Sequence, residues 1–154
     1  MSDRIGILRD GRLVQEGPPE EIYDNPRSEF AATFLGDANI LRGDAFEQGI
    51  RLPDGTGIAA SGGARLPPGT RASAAVRPER IAIANAEANC AEEANRLYGR
   101  IAKRIFAGNT STYFVERGED TLKVLVQNSG QPRLDEGAPV LLSWSPQSTV
   151  LMAS

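Results

Sequence analysis

The side chains that could carry out acid–base or nucleophilic chemistry lack the partners that such chemistry needs. The carboxylate pairs Glu119-Asp120 and Asp135-Glu136 lie in stretches typical of turns, where solvation explains them better than catalysis. Ser111 and Lys123 could form a hydroxyl–amine dyad, but no motif surrounds them. The chain contains no histidine, so an ordinary Ser-His-Asp triad and imidazole metal ligands are excluded. We therefore predict no catalytic residues.

The glycine-rich stretches lack the context of a nucleotide site. ATP hydrolysis uses a phosphate-binding loop that ends in Gly-Lys-Ser/Thr, together with an acidic strand that holds the metal. Gly55-x-Gly57 and Gly62-Gly63 have no following lysine, so each is interpreted as a turn. The single cysteine, Cys90, has no partner for a disulfide or a thiolate metal site. We predict no cofactor-binding and no metal-binding residues, and no ATP hydrolysis by this chain.

The most informative polar residues lie around Pro78, at the centre of the stretch from Ala75 to Ile83. Proline lacks an N–H and holds the preceding residue extended, so the chain should change direction there between two strands. Arg77, Glu79 and Arg80 flank this corner. They either fix the corner through charge-assisted hydrogen bonds to main-chain groups or contact a partner subunit or ligand. Arg77, Glu79 and Arg80 are therefore the candidate interface or ligand residues.

Charge and hydropathy exclude several classes of protein. The 154-residue chain has a net charge of −3 and a pI of about 5.1, whereas surfaces that follow a phosphate backbone usually carry a basic excess. No stretch has the apolar length of a signal peptide or a membrane span. We predict a cytoplasmic protein that binds no nucleic acid and meets a membrane only through partner subunits.

The first 37 residues should form a hairpin and two short helices. Asp10-Gly11 between two apolar runs predicts a tight β-turn, because Asp-Gly tolerates the positive φ that such turns need. Pro18-Pro19 followed by two glutamates predicts a helix start, and the 28–36 stretch predicts a second helix with Phe30 and Phe34 one turn apart. This aromatic stripe should cover either the chain's own β domain or a missing neighbouring domain. We expect residues before Asn39 to be less protected from amide exchange than the rest.

Beyond Asn39 the pattern is that of short strands separated by Gly and Pro turns, typical of a barrel or sandwich. The 97–106 stretch has both helical and strand periodicity, but its β-forming successors favour a long strand. On such a strand Tyr98, Arg100, Arg104 and Phe106 would share one side. The 85–95 stretch is predicted to be an exposed connector, either a loop or one loose turn of helix.

Val76-Arg77-Pro78-Glu79 followed by Ile81-x-Ile83 resembles the central motif of the TOBE domain, the small OB-like β domain at the C-terminus of bacterial ABC-importer ATPase subunits. Four segments resemble the end of the nucleotide-binding domain that precedes it: Met1-Ser2-Asp3-Arg4-Ile5, Asp10 to Gly17, Pro19-Glu20-Glu21-Ile22-Tyr23 and Phe34-Leu35-Gly36. The Leu142-Ser143-Trp144 strand end is similar to the last strands of the same domain. In the resembled subunits a γ-phosphate-sensing histidine comes just before the Ser-Asp-Arg-Ile segment, so Met1 is expected to be a truncation point or a split-gene boundary.

The resemblance implies a mainly β fold: an OB-like (TOBE) barrel of short antiparallel strands, preceded by a β-hairpin and two short helices. It implies that residues 1–37 are the remnant of an ATPase domain and residues 38–154 the TOBE domain, with Ile40–Ala84 and Leu97–Met152 as two copies of one element. It implies a regulatory and dimerisation domain of an importer subunit of the polyamine, ferric-iron, opine or maltose type. A homodimer, an ATPase domain and membrane permeases are the expected partners, peripheral to the inner face of the membrane, and ATP and Mg²⁺ belong to the full-length parent.

Two other functions remain open from the residues alone. Related β domains bind small ligands, which favours a free-standing module for an oxyanion or a polyamine. OB folds also bind single-stranded nucleic acid, for which Tyr98, Arg100, Arg104 and Phe106 are the best candidates.

Overall fold

The structure, a computed structural model, describes residues 4–34, 36–46, 48–63, 66–87, 94–128 and 134–153. The α-helices within these ranges are α1 (Pro19–Asp24) and α2 (Glu29–Phe34), and Pro78–Arg80 and Pro146–Ser148 form single 3-10 turns. The strands are β1 (Ile5–Arg9), β2 (Arg12–Gly17), β3 (Asn39–Phe46), β4 (Gly49–Arg51), β5 (Gly57–Ala59), β6 (Gly62–Gly63), β7 (Arg71–Val76), β8 (Ala82–Asn85), β9 (Asn95–Ala107), β10 (Thr110–Arg117), β11 (Asp120–Gln127), β12 (Pro139–Trp144) and β13 (Thr149–Ala153). The predicted mainly β fold is therefore confirmed.

Some predictions lie outside the described residues. These are the ones on Cys90, Leu35 and residues 88–93 of the 85–95 connector. At the described ends of that stretch the prediction is wrong, because Asn85 is the last residue of β8 and the buried Asn95 is the first residue of β9. Neither described helix has the length and apolar character needed to cross a membrane.

The chain forms two compact units, one of Met1–Val76 with Pro146–Ser154 and the other of Arg77–Ser145. We refer to them as the first and second units. The first contains the N-terminal hairpin, both helices and a six-stranded sheet, and the second contains a five-stranded sheet. The domain boundary predicted near residue 37 stays a prediction. The first unit contains residues from both sides of that position, so the division into two compact units does not test it.

The N-terminal hairpin forms as the Asp-Gly turn predicts. Asp10 and Gly11 have φ values of 52° and 76°, as a two-residue turn of this kind requires, and β1 pairs antiparallel with β2. A bulge follows Ile7, which packs with Ile22 and Ala31 at 0% exposure. The hairpin therefore buries one face against the two helices.

Helix α2 packs against this hairpin on one side and against the six-stranded sheet of the first unit on the other. The Ser28 hydroxyl accepts a hydrogen bond from Ala31 N at 3.1 Å, which is the arrangement of an N-cap. Ala32 packs against Ala75, Val150 and Met152 of β7 and β13. The small residues of β7 are thus explained, because one face of this strand lines the barrel core and the other lies beneath the helix.

The first unit's sheet has the order β5-β4-β3-β7-β13-β6. Strand β6 follows β5 after two residues and pairs parallel with β13, through Val150 with Gly62 and Leu151 with Gly63. The sheet therefore returns on itself and closes into a barrel of the OB type.

The second unit's sheet has the order β11-β10-β9-β12-β8, and every neighbouring pair is antiparallel. The ambiguous 97–106 stretch is a strand, as its neighbours predict. Gly99 lies on β9 beside its neighbour β10, and a Cβ on it would lie 2.6 Å from Val115 Cγ1 and 2.7 Å from the Glu116 carbonyl oxygen. The close approach of β10 therefore leaves no room for a Cβ at this position, so a glycine suits it.

Both halves of the chain use the same order of elements, but they exchange their last strands. The first half supplies β3, β4, β5 with β6, β7, a 3-10 turn and β8. The second supplies β9, β10, β11, β12, a 3-10 turn and β13. Strand β8 pairs with β12 and strand β13 pairs with β7. The two predicted copies, Ile40–Ala84 and Leu97–Met152, are thus repeated in element order, although neither copy closes a barrel with its own fifth strand.

Candidate functional site

The corner around Pro78 has the geometry that its residues predict. Arg77 is extended, with φ −74° and ψ 142°, and Pro78 occupies the first position of the 3-10 turn. Arg80 N donates to the Arg77 carbonyl oxygen at 3.0 Å, which closes the turn. Ile81 is extended again and leads into β8. The corner therefore changes the direction of the chain between the end of β7 and the start of β8.

The three candidate residues of this corner differ in accessibility. Arg77 is buried, with 7% of its surface exposed, whereas Glu79 and Arg80 are exposed. A buried guanidinium favours the alternative in which Arg77 holds the corner through hydrogen bonds. Glu79 and Arg80 lie at the surface, where a partner or ligand can reach them. The assignment of all three as contact residues stays a prediction.

Glu79 also lines a cleft in the second unit, with a volume of about 500 Å³. This volume lies within the range of sites that hold small molecules. The lining residues come from the corner, β8, the start of β10 and the end of β11: Glu79, Ile81, Ala82, Ile83, Thr110, Leu125, Val126 and Gln127. The cleft thus combines a carboxylate, a hydroxyl and an amide with apolar side chains, and its lining includes no basic side chain.

The β11 side of this cleft was missed by sequence reasoning. Leu125, Val126 and Gln127 belong to an ordinary alternating strand pattern, which indicates a strand but not an edge. Their proximity to β8 follows from the exchanged strand order, for which the local pattern carries no signal.

A second polar cluster surrounds Arg104. Its Nη2 donates to Ser111 Oγ at 3.3 Å, and Ser111 Oγ donates to Asn128 Oδ1 at 2.8 Å. The guanidinium carbon lies 5.5 Å from the centre of the Phe106 ring and 5.9 Å from that of Tyr113. Arg104 Nε is buried without a hydrogen-bond partner in the described part of the chain. The cluster joins the ends of β9, β10 and β11, a role that the sequence did not indicate.

A β-bulge in β9 changes which side chains share a face. Phe114 lies opposite Lys103 and Val115 lies opposite Ile101, so Ala102 is an extra residue on β9. Because side chains alternate along a strand, one inserted residue moves every later side chain to the other face.

The predicted aromatic and basic face of β9 is therefore wrong. Arg104 and Phe106 lie on the face that carries the buried Tyr113, whereas Tyr98 and Arg100 lie on the opposite face. The alternation that placed all four on one side assumed an unbroken strand. The best argument for a nucleic-acid surface is thus removed.

Within the described ranges no group of three or more His, Cys, Asp or Glu residues is placed to hold a metal ion.

Comparison with known proteins links this geometry to a family. The model of the TOBE domain family (TOBE_2) matches residues 74–152, a range that begins two residues before the Val76-Arg77-Pro78-Glu79 motif and ends within β13.

Relatives of known name cover nearly the whole chain. The spermidine/putrescine import ATP-binding protein PotA of Thermotoga maritima is 27% identical over 99% of this chain and 44% of its own length. The PotA proteins of Thermobifida fusca and Frankia alni are 32% and 33% identical, again over 99% of this chain, and over 41% and 36% of their own lengths. The chain thus spans about two fifths of the curated relatives it matches.

A solved structure of the cytoplasmic molybdate-binding protein ModG matches the fold. It has a TM-score of 0.59 and 15% sequence identity, and the match covers 77% of this chain and 96% of ModG. At this identity the likeness supports the OB-like fold alone.

Proposed function

The chain belongs to the TOBE domain family and corresponds to the C-terminal part of an ABC-importer ATP-binding subunit, and from this premise we propose that it is the regulatory and dimerisation domain of such a subunit. The names of its relatives support a polyamine importer. The ATP and Mg²⁺ of that importer would be bound by an ATPase domain outside this chain, and its permease subunits would hold the assembly at the inner face of the membrane. In this function the exposed Glu79 and Arg80 contact a partner subunit, and Arg77 supports the corner that presents them.

The observation that most directly supports a neighbouring ATPase domain is the exposed apolar face of the N-terminal hairpin. Leu8 and Leu13 lie opposite each other across the hairpin and are 60% and 57% exposed. On the same unit Phe34 is 53% exposed, although Phe30 beside it packs with the hairpin cluster. A two-stranded hairpin is marginal by itself, and an apolar pair on its outer face is expected to be covered by another domain. The remaining three fifths of the relatives' length supports an ATPase domain as that cover.

The proposal is tested by binding between the purified chain and the N-terminal part of the Thermobifida fusca relative that this chain does not match. Isothermal titration should detect association, and the double substitution Leu8→Asp with Leu13→Asp should weaken it at least tenfold, because it places two charges in an apolar contact. Ile105→Asp is the matched control, since Ile105 is also exposed but lies in the second unit, outside the lining of the cleft. Equal binding by the double variant and the control would contradict the proposal.

Two measurements separate this function from the alternatives. Sedimentation velocity should show a homodimer. A thermal shift with spermidine, ferric iron or molybdate in a chain that does not bind the ATPase domain would instead favour a free-standing ligand-binding module.

A further inference from the structure

Gln15 on strand β2 is a polar side chain that the hairpin buries. It lies opposite the fully buried Ile7 and is 6% exposed. A buried amide is tolerated when its donor and acceptor both have hydrogen-bond partners. The partners of Gln15 lie outside the hairpin, at the junction between α1 and α2.

The Gln15 side chain bonds to the main chain on both sides of Pro26. Its Nε2 donates to the Asn25 carbonyl oxygen at 3.3 Å, and its Oε1 accepts from Arg27 N at 3.0 Å. Pro26 between them is buried and has no N–H of its own. A glutamine amide supplies a donor and an acceptor from one rigid group. Gln15 therefore connects the two main-chain groups that flank the proline.

This junction sets the direction of α2. Asn25 N donates the last bond of α1, to the Glu21 carbonyl oxygen at 2.8 Å. Asn25 itself leaves the helical conformation, with φ −134° and ψ 63°, as a residue before proline is expected to do. Four residues, 25–28, separate the two helices. Because Gln15 bonds to two of these four, it holds the start of α2 against β2.

The same strand faces outward two residues earlier. Ile7 pairs with Gln15, and Leu8 pairs with Leu13, so Val14 is an extra residue on β2. Such a bulge reverses the alternation, and Leu13 therefore joins the exposed Leu8 on the outer face. Strand β2 thus carries the bonds to the helices on one face and the proposed partner contact on the other.

We propose that Gln15 is a positioning residue for the ATPase-domain contact, and this inference rests on the proposed function. Its two hydrogen bonds fix the hairpin relative to α2, so that Leu8, Leu13 and Phe34 meet the partner in one arrangement. The apolar packing of Ile7 and Ile22 is non-directional and would permit sliding, whereas hydrogen bonds are directional. Without them the partner would have to order the hairpin on binding, which lowers affinity.

The first test uses Gln15→Met, which keeps the length of the side chain and removes both bonds. Isothermal titration with the N-terminal part of the Thermobifida fusca relative should give about fivefold weaker binding, at a temperature where the variant is folded. Gln48→Met is the matched control, because Gln48 is an exposed glutamine of the same unit. The Arg27 amide should also exchange faster in Gln15→Met. A purely structural role would lower the melting temperature and leave the dissociation constant unchanged.

The second test uses Gln15→Glu to restore the bonds by protonation. The introduced carboxylate can accept from Arg27 N but cannot donate to Asn25, whereas the protonated acid can do both. Binding by this variant, relative to the unsubstituted chain, should therefore recover between pH 7.5 and pH 5. The exposed carboxylates of α1, those of Glu20, Glu21 and Asp24, are present in both chains and cancel in this ratio. Gln15→Met should show no recovery.

The outcomes separate this inference from the proposed function. If the unsubstituted chain binds and Gln15→Met binds as well as Gln48→Met, the positioning role is overturned while the ATPase-domain contact stands. Absence of recovery by Gln15→Glu at low pH would overturn the role of the two hydrogen bonds. If the unsubstituted chain does not bind, both the proposed contact and the positioning role are overturned.

Discussion

Glu29 on helix α2 and Arg42 on strand β3 form an ion pair in which Arg42 Nη2 lies 2.7 Å from Glu29 Oε1. The other carboxylate oxygen accepts a hydrogen bond from the buried hydroxyl of Ser73, which lies opposite Arg42 on β7. The hydrogen bond from Arg42, followed by that from Ser73, lowers the pKa of Glu29 below its ordinary value of 4.5, against the opposing effect of burial. This carboxylate therefore anchors the helix to the first barrel.

Replacing Glu29 by Gln should lower the free energy of unfolding at pH 7 by about 1 kcal/mol, since Arg42 is largely exposed and the pair is screened by solvent. A lowered folded pKa stabilises above the ordinary value and loses this contribution as the pH falls through the folded value. The difference between the chain and the variant should thus shrink below pH 4.5. Urea unfolding from pH 7 to pH 3 measures it, with Glu119→Gln in an exposed turn as the control. A constant difference across this range would contradict the role of the carboxylate.

Gly99→Ala should destabilise the second unit by about 1–3 kcal/mol, because the added methyl group meets Val115 and the main chain of Glu116. Gly57→Ala is the matched control, since a Cβ there has no neighbour within 4 Å. Urea denaturation of both variants gives the comparison. Equal stabilities would show that β10 approaches Gly99 less closely than described.

Ala32→Leu should separate helix α2 from the barrel, at a cost of about 1–3 kcal/mol, because Ala32 is fully buried against Ala75 and Met152. Thr33→Leu, on the exposed side of the same helix, should cost much less. Thermal unfolding followed by circular dichroism compares the two. If both variants melt alike, the helix does not depend on this contact.

Amides of the N-terminal hairpin should exchange faster than those of β7 and β9. The hairpin has two strands and two unpaired edges in the described structure, whereas β7 and β9 each lie between two neighbours, so local opening costs less in the hairpin. Hydrogen exchange resolved by residue tests this. Equal protection would mean that the hairpin opens only with the whole first unit.

The chain should not bind single-stranded DNA at physiological salt. Its net charge is −3, and the bulge at Ala102 separates Tyr98 and Arg100 from Arg104 and Phe106. Fluorescence anisotropy with a labelled oligothymidine measures binding. Salt-dependent binding with a dissociation constant in the micromolar range would contradict this prediction.

Features set by neighbouring residues were predictable, and features set by distant pairing were not. Asp10-Gly11 and Pro78 determine their turns through their own backbone preferences, and both form as predicted. The bulge at Ala102 depends on how β9 pairs with two different neighbours. The cleft depends on β11 remaining with β10 while β8 arrives from the other half of the chain. No local pattern carries such information, so Glu79 could be selected as a candidate while its neighbours Leu125 and Gln127 could not.

The exchange of strands β8 and β13 between the two halves also limits when the chain can fold during its synthesis. Val150 pairs with Ala75, 75 residues earlier in the sequence, so the first barrel stays unfinished on the ribosome until β13 has been translated. Contacts of such long sequence separation slow folding. A polypeptide released early would expose the edge of β7, and neither half expressed alone could complete its own barrel.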